Sequence, residues 1–138
     1  MKQHFETVTI ETHGPMLYDF TDRAAKFVRA SKVADGLLIC FIRHTSASLA
    51  IQENADPDVL KDLNDFFKKI APPSRDYRHD AEGPDDMPSH IRSALTQTSL
   101  SVPVRDGAMV LGPWQALYVF EHRDTPHSRH VVLHVIGE

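Results

Sequence analysis

The chain of 138 residues, 41% hydrophobic and 25% charged, is long enough for one domain with an apolar core and too short for two. Its formal charge of −4 removes the broad attraction that nucleic-acid binding uses, and no apolar run approaches the roughly 20 residues that span a bilayer. The opening "MKQHFETVTIET" lacks the apolar segment of a secretory signal, and the single cysteine, Cys40 in "LLICFI", excludes an internal disulfide framework. These features predict a cytoplasmic protein with no membrane or nucleic-acid partner.

In chain order, "HFETVTIET" alternates with Val8 and Ile10 on one side and reads as a half-buried strand. After Gly14-Pro15, "YDFTDRAAKFVRASK" spaces Phe20, Ala24, Phe27 and Val28 as an amphipathic helix, with Asp19 or Thr21 as its cap. Gly36 precedes "LLICFIRHTS", apolar on both faces before Arg43 and His44, as expected of a central strand emerging into a polar site. "SLAIQEN" alternates again. A second helix follows in "ADPDVLKDLNDFFKKIAPP", with Asp56 as cap, Pro57 in the first turn, and Leu60, Leu63, Phe67 and Ile70 on one face.

Residues 74–88 show no period and read as loop, followed by a short helix from Pro88 to Thr96 that turns Ile91 and Leu95 inward and holds His90 in its first turn. The last forty residues return to strands: "SLSVPVRDG", "AMVLG", "QALYVFEH" and "SRHVVLHVIG", with Asp106-Gly107 as a hairpin turn. Six or so strands with two or three flanking helices predict an α+β fold: a single domain over residues 1–138, a largely antiparallel β-sandwich.

Three polar clusters interrupt the apolar strand ends: "RHTSAS" at 43–48, the loop from Arg75 to His90, and "EHRD" at 121–124. Each contributes a histidine, and two or three of His44, His79, His90 and His122 with a carboxylate or water would suit zinc or a similar divalent ion. Lone histidines elsewhere have an ordinary structural use as hydrogen-bonded groups. Asp80 and Glu82 flank His79 closely enough to orient it or to act as a base, whereas Asp86 reads as a cap for the helix after it. The hydroxyls of Thr45, Ser46 and Ser48 beside Arg43 could hold a phosphate, though serine-rich turns also arise from turn geometry alone. Arg78, Arg105, Arg123 and Arg129 are further anion anchors, and no Walker, dinucleotide or GxSxG pattern is present.

The segments "HTSASLAIQENADPDV", "YRHDAEGPDDMPSHIRSAL", "VRDGAMVLGPWQALYVFEHRD" and "SRHVVLHVIGE" closely resemble those of the YjbQ family, also called the secondary thiamine-phosphate synthase family, from about residue 4 to Glu138. "GPWQ" stands where the family pattern has "GTWQ", leaving Trp114 and Gln115 in place. The resemblance implies a compact β-sandwich with flanking helices, a homotrimer, and a metal-associated site using zinc or magnesium. Its matching positions are His44, Asn54, Asp56, His79, Asp80, Glu82, His90, Glu121, His122 and Arg123. On these positions His79, His90 and His122 are the expected metal set, with His44 a fourth candidate; Asp80, Glu82, His44 and Arg123 are the expected catalytic groups; and Asn54 and Glu121, together with Arg43, Thr45, Ser46, Ser48 and Arg78 read from their own side-chain chemistry, are expected to bind a small phosphorylated substrate. The implied activity couples hydroxymethylpyrimidine diphosphate to thiazole phosphate with release of pyrophosphate, as a secondary activity. A metal-assisted hydrolase of a phosphate or carbonyl substrate, and a noncatalytic metal- or metabolite-binding module, remain alternatives.

Overall fold

A computed structural model describes residues 1–138 as two antiparallel sheets packed face to face with three helices. The strands are β1 (Lys2–His13), β2 (Met16–Asp19), β3 (Gly36–Ile42), β4 (Ala47–Glu53), β5 (Ser99–Arg105), β6 (Ala108–Met109), β7 (Gln115–Glu121) and β8 (Pro126–Gly137). The helices are α1 (Thr21–Ser31), α2 (Pro57–Ile70) and α3 (Asp86–Leu95). One sheet runs β1-β8-β3-β5-β6 and the other β2-β7-β4.

Alternation fills the space between the sheets. Val8 and Ile10, Leu38 and Cys40, Val102, and Val131 and Leu133 point inward from the large sheet, meeting Leu49, Leu117 and Val119 from the small one, Ala24 and Val28 from α1, and Phe20 just before it. Burial pushes the Cys40 thiol up to about 12, so it behaves as an apolar core group. β7 is buried on both faces, because Ala116, Tyr118 and Phe120 turn the other way, onto Leu60 and Phe67 of α2.

The expected α+β antiparallel sandwich is the observed one, with local differences. β2 precedes α1 and escaped the sequence reading because four residues are too few to show a period. Phe20 occupies the N-cap of α1, while the Asp19 side chain accepts the Thr21 N–H. Asp56 caps α2 as expected, accepting from the Asp58 N–H. At the Asp106-Gly107 turn both residues have positive φ, 51° and 77°, the requirement of a two-residue hairpin that matches strand twist.

Leu37, Ile39 and Phe41 of β3, Val132 and Ile136 of β8, and Phe5 of β1 lie on the outer face of the large sheet, away from the core. Phe5 is 67% and Phe41 47% exposed. At one end of this sheet β3 and β8 come so close that a Cβ on Gly36 would lie 2.1 Å from the Ile136 carbonyl oxygen. Gly36→Ala is therefore expected to lower Tm, at a cost of about 1–3 kcal/mol from forced overpacking; an unchanged melting curve would show that the strands do not approach this closely.

Candidate metal site

The site forms where α3 meets the strand ends that carry His44 and His122. α3 begins at Asp86, two residues before Pro88, so Pro88 sits inside the first turn, where a missing N–H costs nothing. This boundary sets the chemistry. Asp86 and His90 become i and i+4 neighbours on one helical face, and the Asp86 side chain is buried rather than capping the helix.

Asp86 Oδ2 lies 2.5 Å from His79 Nε2 and 3.2 Å from His90 Nε2, and one ligand atom from each of the three residues falls within 4.8 Å of the others. Asp86 Oδ1 accepts from Arg123 Nη1 at 2.7 Å. Burial alone would raise the Asp86 pKa, but the His79 hydrogen bond and the nearby Arg123 and His90 outweigh it and hold the carboxyl below its usual range.

The His90 ring shows what the cluster is suited to hold. Its Nδ1 faces the Thr45 carbonyl oxygen at 2.8 Å, which can only accept, so Nδ1 carries the proton and in the neutral ring Nε2 is a bare lone pair. That lone pair points at a carboxylate oxygen, which also cannot donate. Two acceptors at 3.2 Å repel unless a cation lies between them, either a proton on the ring or a metal ion. His79 brings a second imidazole to the same oxygen, with Glu82 3.3 Å from its Nε2. Two imidazoles and a carboxylate are a borderline donor set that suits zinc better than magnesium.

Several expected site residues stand elsewhere. His122 does not join the cluster: it is 1% exposed, its Nε2 is 2.9 Å from Ser48 Oγ, and its Nδ1 has no partner. Ser48, expected to bind substrate, is equally buried, its hydroxyl held by His122 and Thr96. Glu121 is fully buried and accepts from Arg129, Thr12 and two backbone N–H groups, which leaves nothing for a substrate. Ser46 Oγ accepts from Arg129. Arg123 donates to Asp85, Asp86 and the Glu82 carbonyl, so it positions carboxylates rather than offering a free anion clamp. The Asp80 side chain makes no hydrogen bond or ion pair with His79; its backbone carbonyl accepts from Arg75. Asn54 follows the far end of β4, about 20 Å along the strand from Ala47. Arg43, Thr45 and Arg78 are exposed, and His44 lines the cleft beside His90.

The sequence reading missed Asp85 and Asp86 as site residues and Arg92 altogether. Arg92 is buried, its guanidinium donating to the carbonyls of Ala71 and His122 and so tying α3 to the end of α2 and to the strand end. The DxxxH spacing of Asp86 and His90 is the signal that a helix starting two residues earlier would have exposed.

Residues 6–138 match the family model described as UPF0047 protein YjbQ-like. The chain is 52% identical over 138 residues to a UPF0047 protein of Synechocystis sp., covering 99% of this chain and 94% of that one. It is 45% identical over 107 residues to the UPF0047 protein YjbQ of Escherichia coli O157:H7, covering 78% of each. Among solved structures, an uncharacterised yjbq/upf0047 protein from Clostridium acetobutylicum has a TM-score of 0.88 at 34% identity, covering 95% of this chain and 99% of that one. A protein of unknown function from Sulfolobus solfataricus shares the fold, with a TM-score of 0.86 at 23% identity and 99% coverage of both chains.

Burial, then the positive charge of Arg92, pushes the His122 pKa down to about 3, so the folded state keeps this ring neutral after the unfolded chain has begun to protonate at its ordinary 6.5. The stability His122 supplies is complete above about pH 6.5 and declines as pH falls toward 3. From pH 6.5 to 5 it should cost the protein about 2 kcal/mol, and His122→Gln should flatten that slope by about one proton in urea unfolding; parallel slopes would contradict a neutral buried ring.

Proposed function

The chain belongs to the YjbQ-like UPF0047 family, and on that footing we propose that it is a metal-dependent enzyme acting on small phosphorylated heterocycles, with thiamine-phosphate synthesis as a secondary, assayable activity. The observation that carries this reading is the pair of facing acceptors, His90 Nε2 and Asp86 Oδ2, joined by His79 Nε2. His79, Asp86 and His90 would hold the ion, and its Lewis acidity would neutralise charge on a departing pyrophosphate. The remaining work falls to the chain's own groups. The Thr45 carbonyl fixes the His90 ring, and Arg123 fixes Asp86. A cleft of about 260 Å³ lined by His44, Thr45, His90, Ser93 and Thr98 adjoins the cluster and gives a small heterocycle access to it. Arg43 and Arg78, exposed and without ion pairs in the chain, are the cations free to meet phosphate oxygens. No enzyme nucleophile is required: pyrophosphate leaves the pyrimidine methylene with the bonding electrons, and the thiazole nitrogen supplies the pair that forms the new C–N bond.

With both phosphorylated precursors and zinc, the protein should release pyrophosphate, and Asp86→Asn or His79→Ala should lower metal stoichiometry and cut turnover at least about 100-fold. Unchanged metal content and turnover in both variants would remove the cluster from function. Release of phosphate from a phosphoester panel would favour the hydrolase reading, and tight stoichiometric metal without turnover would favour a binding module.

We assign the protein to the cytoplasm as a homotrimer, the state the family resemblance implies. No helix is long and apolar enough to cross a membrane. The apolar outer face of the large sheet, centred on Phe41, supports self-association, since monomers rarely leave such a patch to water. Light scattering should give three times the chain mass, and Phe41→Glu should shift it toward one; a monomeric wild type would overturn the assignment.

A further inference from the structure

We propose that His44 and Arg129 form an oxyanion subsite that takes a phosphate group of the substrate, beside the His79/Asp86/His90 cluster. This rests on the metal-enzyme reading for its place in catalysis, but the binding site itself stands on separate geometry.

His44 Nε2 lies 2.8 Å from the His130 backbone N–H, a donor whose position is fixed by the strand, so this nitrogen must carry the lone pair. Burial first, then the charge of Arg129, lowers the ring's pKa to about 4, which keeps it neutral at physiological pH. The one remaining ring proton is therefore on Nδ1. Opposite it, at 3.4 Å, stands Arg129 Nη1, which can only donate. The contact thus sets two N–H groups against each other, and no hydrogen bond satisfies either.

The other donors of Arg129 are engaged. Nε and Nη2 bind Glu121 at 2.6 and 2.5 Å, and Nη2 also reaches Ser46. Only Nη1 lacks an acceptor, in a residue that is 3% exposed. His44 and Arg129 both line an open cleft of about 460 Å³ whose wall includes Arg43 and Thr45. An anionic oxygen set beside the pair, at hydrogen-bond distance from each nitrogen, would accept from both at once, with Arg43 free to meet a second oxygen.

The neighbourhood selects a particular kind of anion. Glu121 is held ionised, its carboxyl kept below the usual range: burial opposes this, but hydrogen bonds from Arg129, Arg123 and Thr12 prevail. It therefore cancels the Arg129 charge. The subsite recognises an oxyanion through two aimed donors and one exposed arginine, so a multi-oxygen group such as phosphate gains more from it than a carboxylate does. Its place follows from the chain: residue 44 holds the oxyanion, and the carbonyl of residue 45 holds the His90 ring. A substrate phosphate seated here would put the rest of a small heterocycle into the adjoining cleft that His44 and His90 share.

The test uses the full-length, metal-stripped protein with 15N-labelled histidine. Long-range imidazole spectra should show His44 as the Nδ1–H tautomer, and inorganic phosphate and methyl phosphate should shift its Nδ1 resonance saturably. Acetate should bind at least tenfold more weakly. His44→Phe and Arg129→Lys should each weaken phosphate binding at least tenfold, while Asp86→Asn leaves it unchanged. An Nε2–H tautomer, an unsaturable response, equal binding of acetate, or undiminished phosphate affinity in a folded His44→Phe variant would each overturn the proposal. The tautomer is read in the wild type, so the test does not depend on either variant folding. Phosphate binding without pyrophosphate release would sink the enzymatic reading and leave the subsite standing.

Discussion

The buried ion pair between Glu121 and Arg129 is the constraint on which the functional end of the molecule depends. Glu121 ends β7 in the small sheet and Arg129 lies in β8 of the large one, with side chains 0% and 4% exposed. Taking two charges out of water costs several kcal/mol per ion, and further hydrogen bonds to both partners offset that cost. Glu121 also accepts from Thr12 of β1 and from the N–H groups of His122 and Arg123, while Arg129 also donates to Ser46. One carboxylate thereby joins both sheets, the departing strand end and the turn after His44. A salt bridge this deep adds little net stability; its effect is to fix register where the side chains of the site emerge.

From that anchor three consecutive residues diverge. Glu121 turns to Arg129, His122 to Ser48, and Arg123 to Asp85 and Asp86. This is what a strand end does when it leaves its sheet: alternation lapses, and successive side chains reach separate neighbours. The "EHR" triplet therefore serves fold, packing and site in turn, and treating it as one chemical motif assigns to Glu121 and His122 a solvent-facing role that their burial denies.

The sandwich was legible because its strands obey period two and its helices carry a cap and an apolar face; Asp56, Phe67 and the Asp106-Gly107 turn all behave as their residue types require. His79 and His90 were legible as a pair because they flank a loop with no other explanation for its polarity. Asp86 was not, since its role depends on where α3 begins, and the preference of proline for the first helical position misplaces that start by two residues. Arg129 was only one anion candidate among several arginines, because its use depends on partners in β7 and in the turn at Ser46 that lie far away in sequence. Spacing within a segment shows what an element can present. Which elements meet is a tertiary matter, and His122, a polar residue at a strand end, could be placed beside Ser48 only by knowing that β4 and β7 pair.

The charge balance at the cluster bears on the proposed cation independently of the ring geometry. Asp85 and Asp86 are both held below the usual carboxylate range, so both are ionised near neutral pH, and Arg123 is the one permanent positive charge in contact with them. Two carboxylates against one guanidinium leave an excess negative charge on largely buried groups, which a low-dielectric setting makes costly. Arg123 takes Asp86 Oδ1 and leaves Oδ2 turned toward two imidazoles. A divalent ion, as proposed above, would balance this excess charge and could be held by His79, Asp86 and His90.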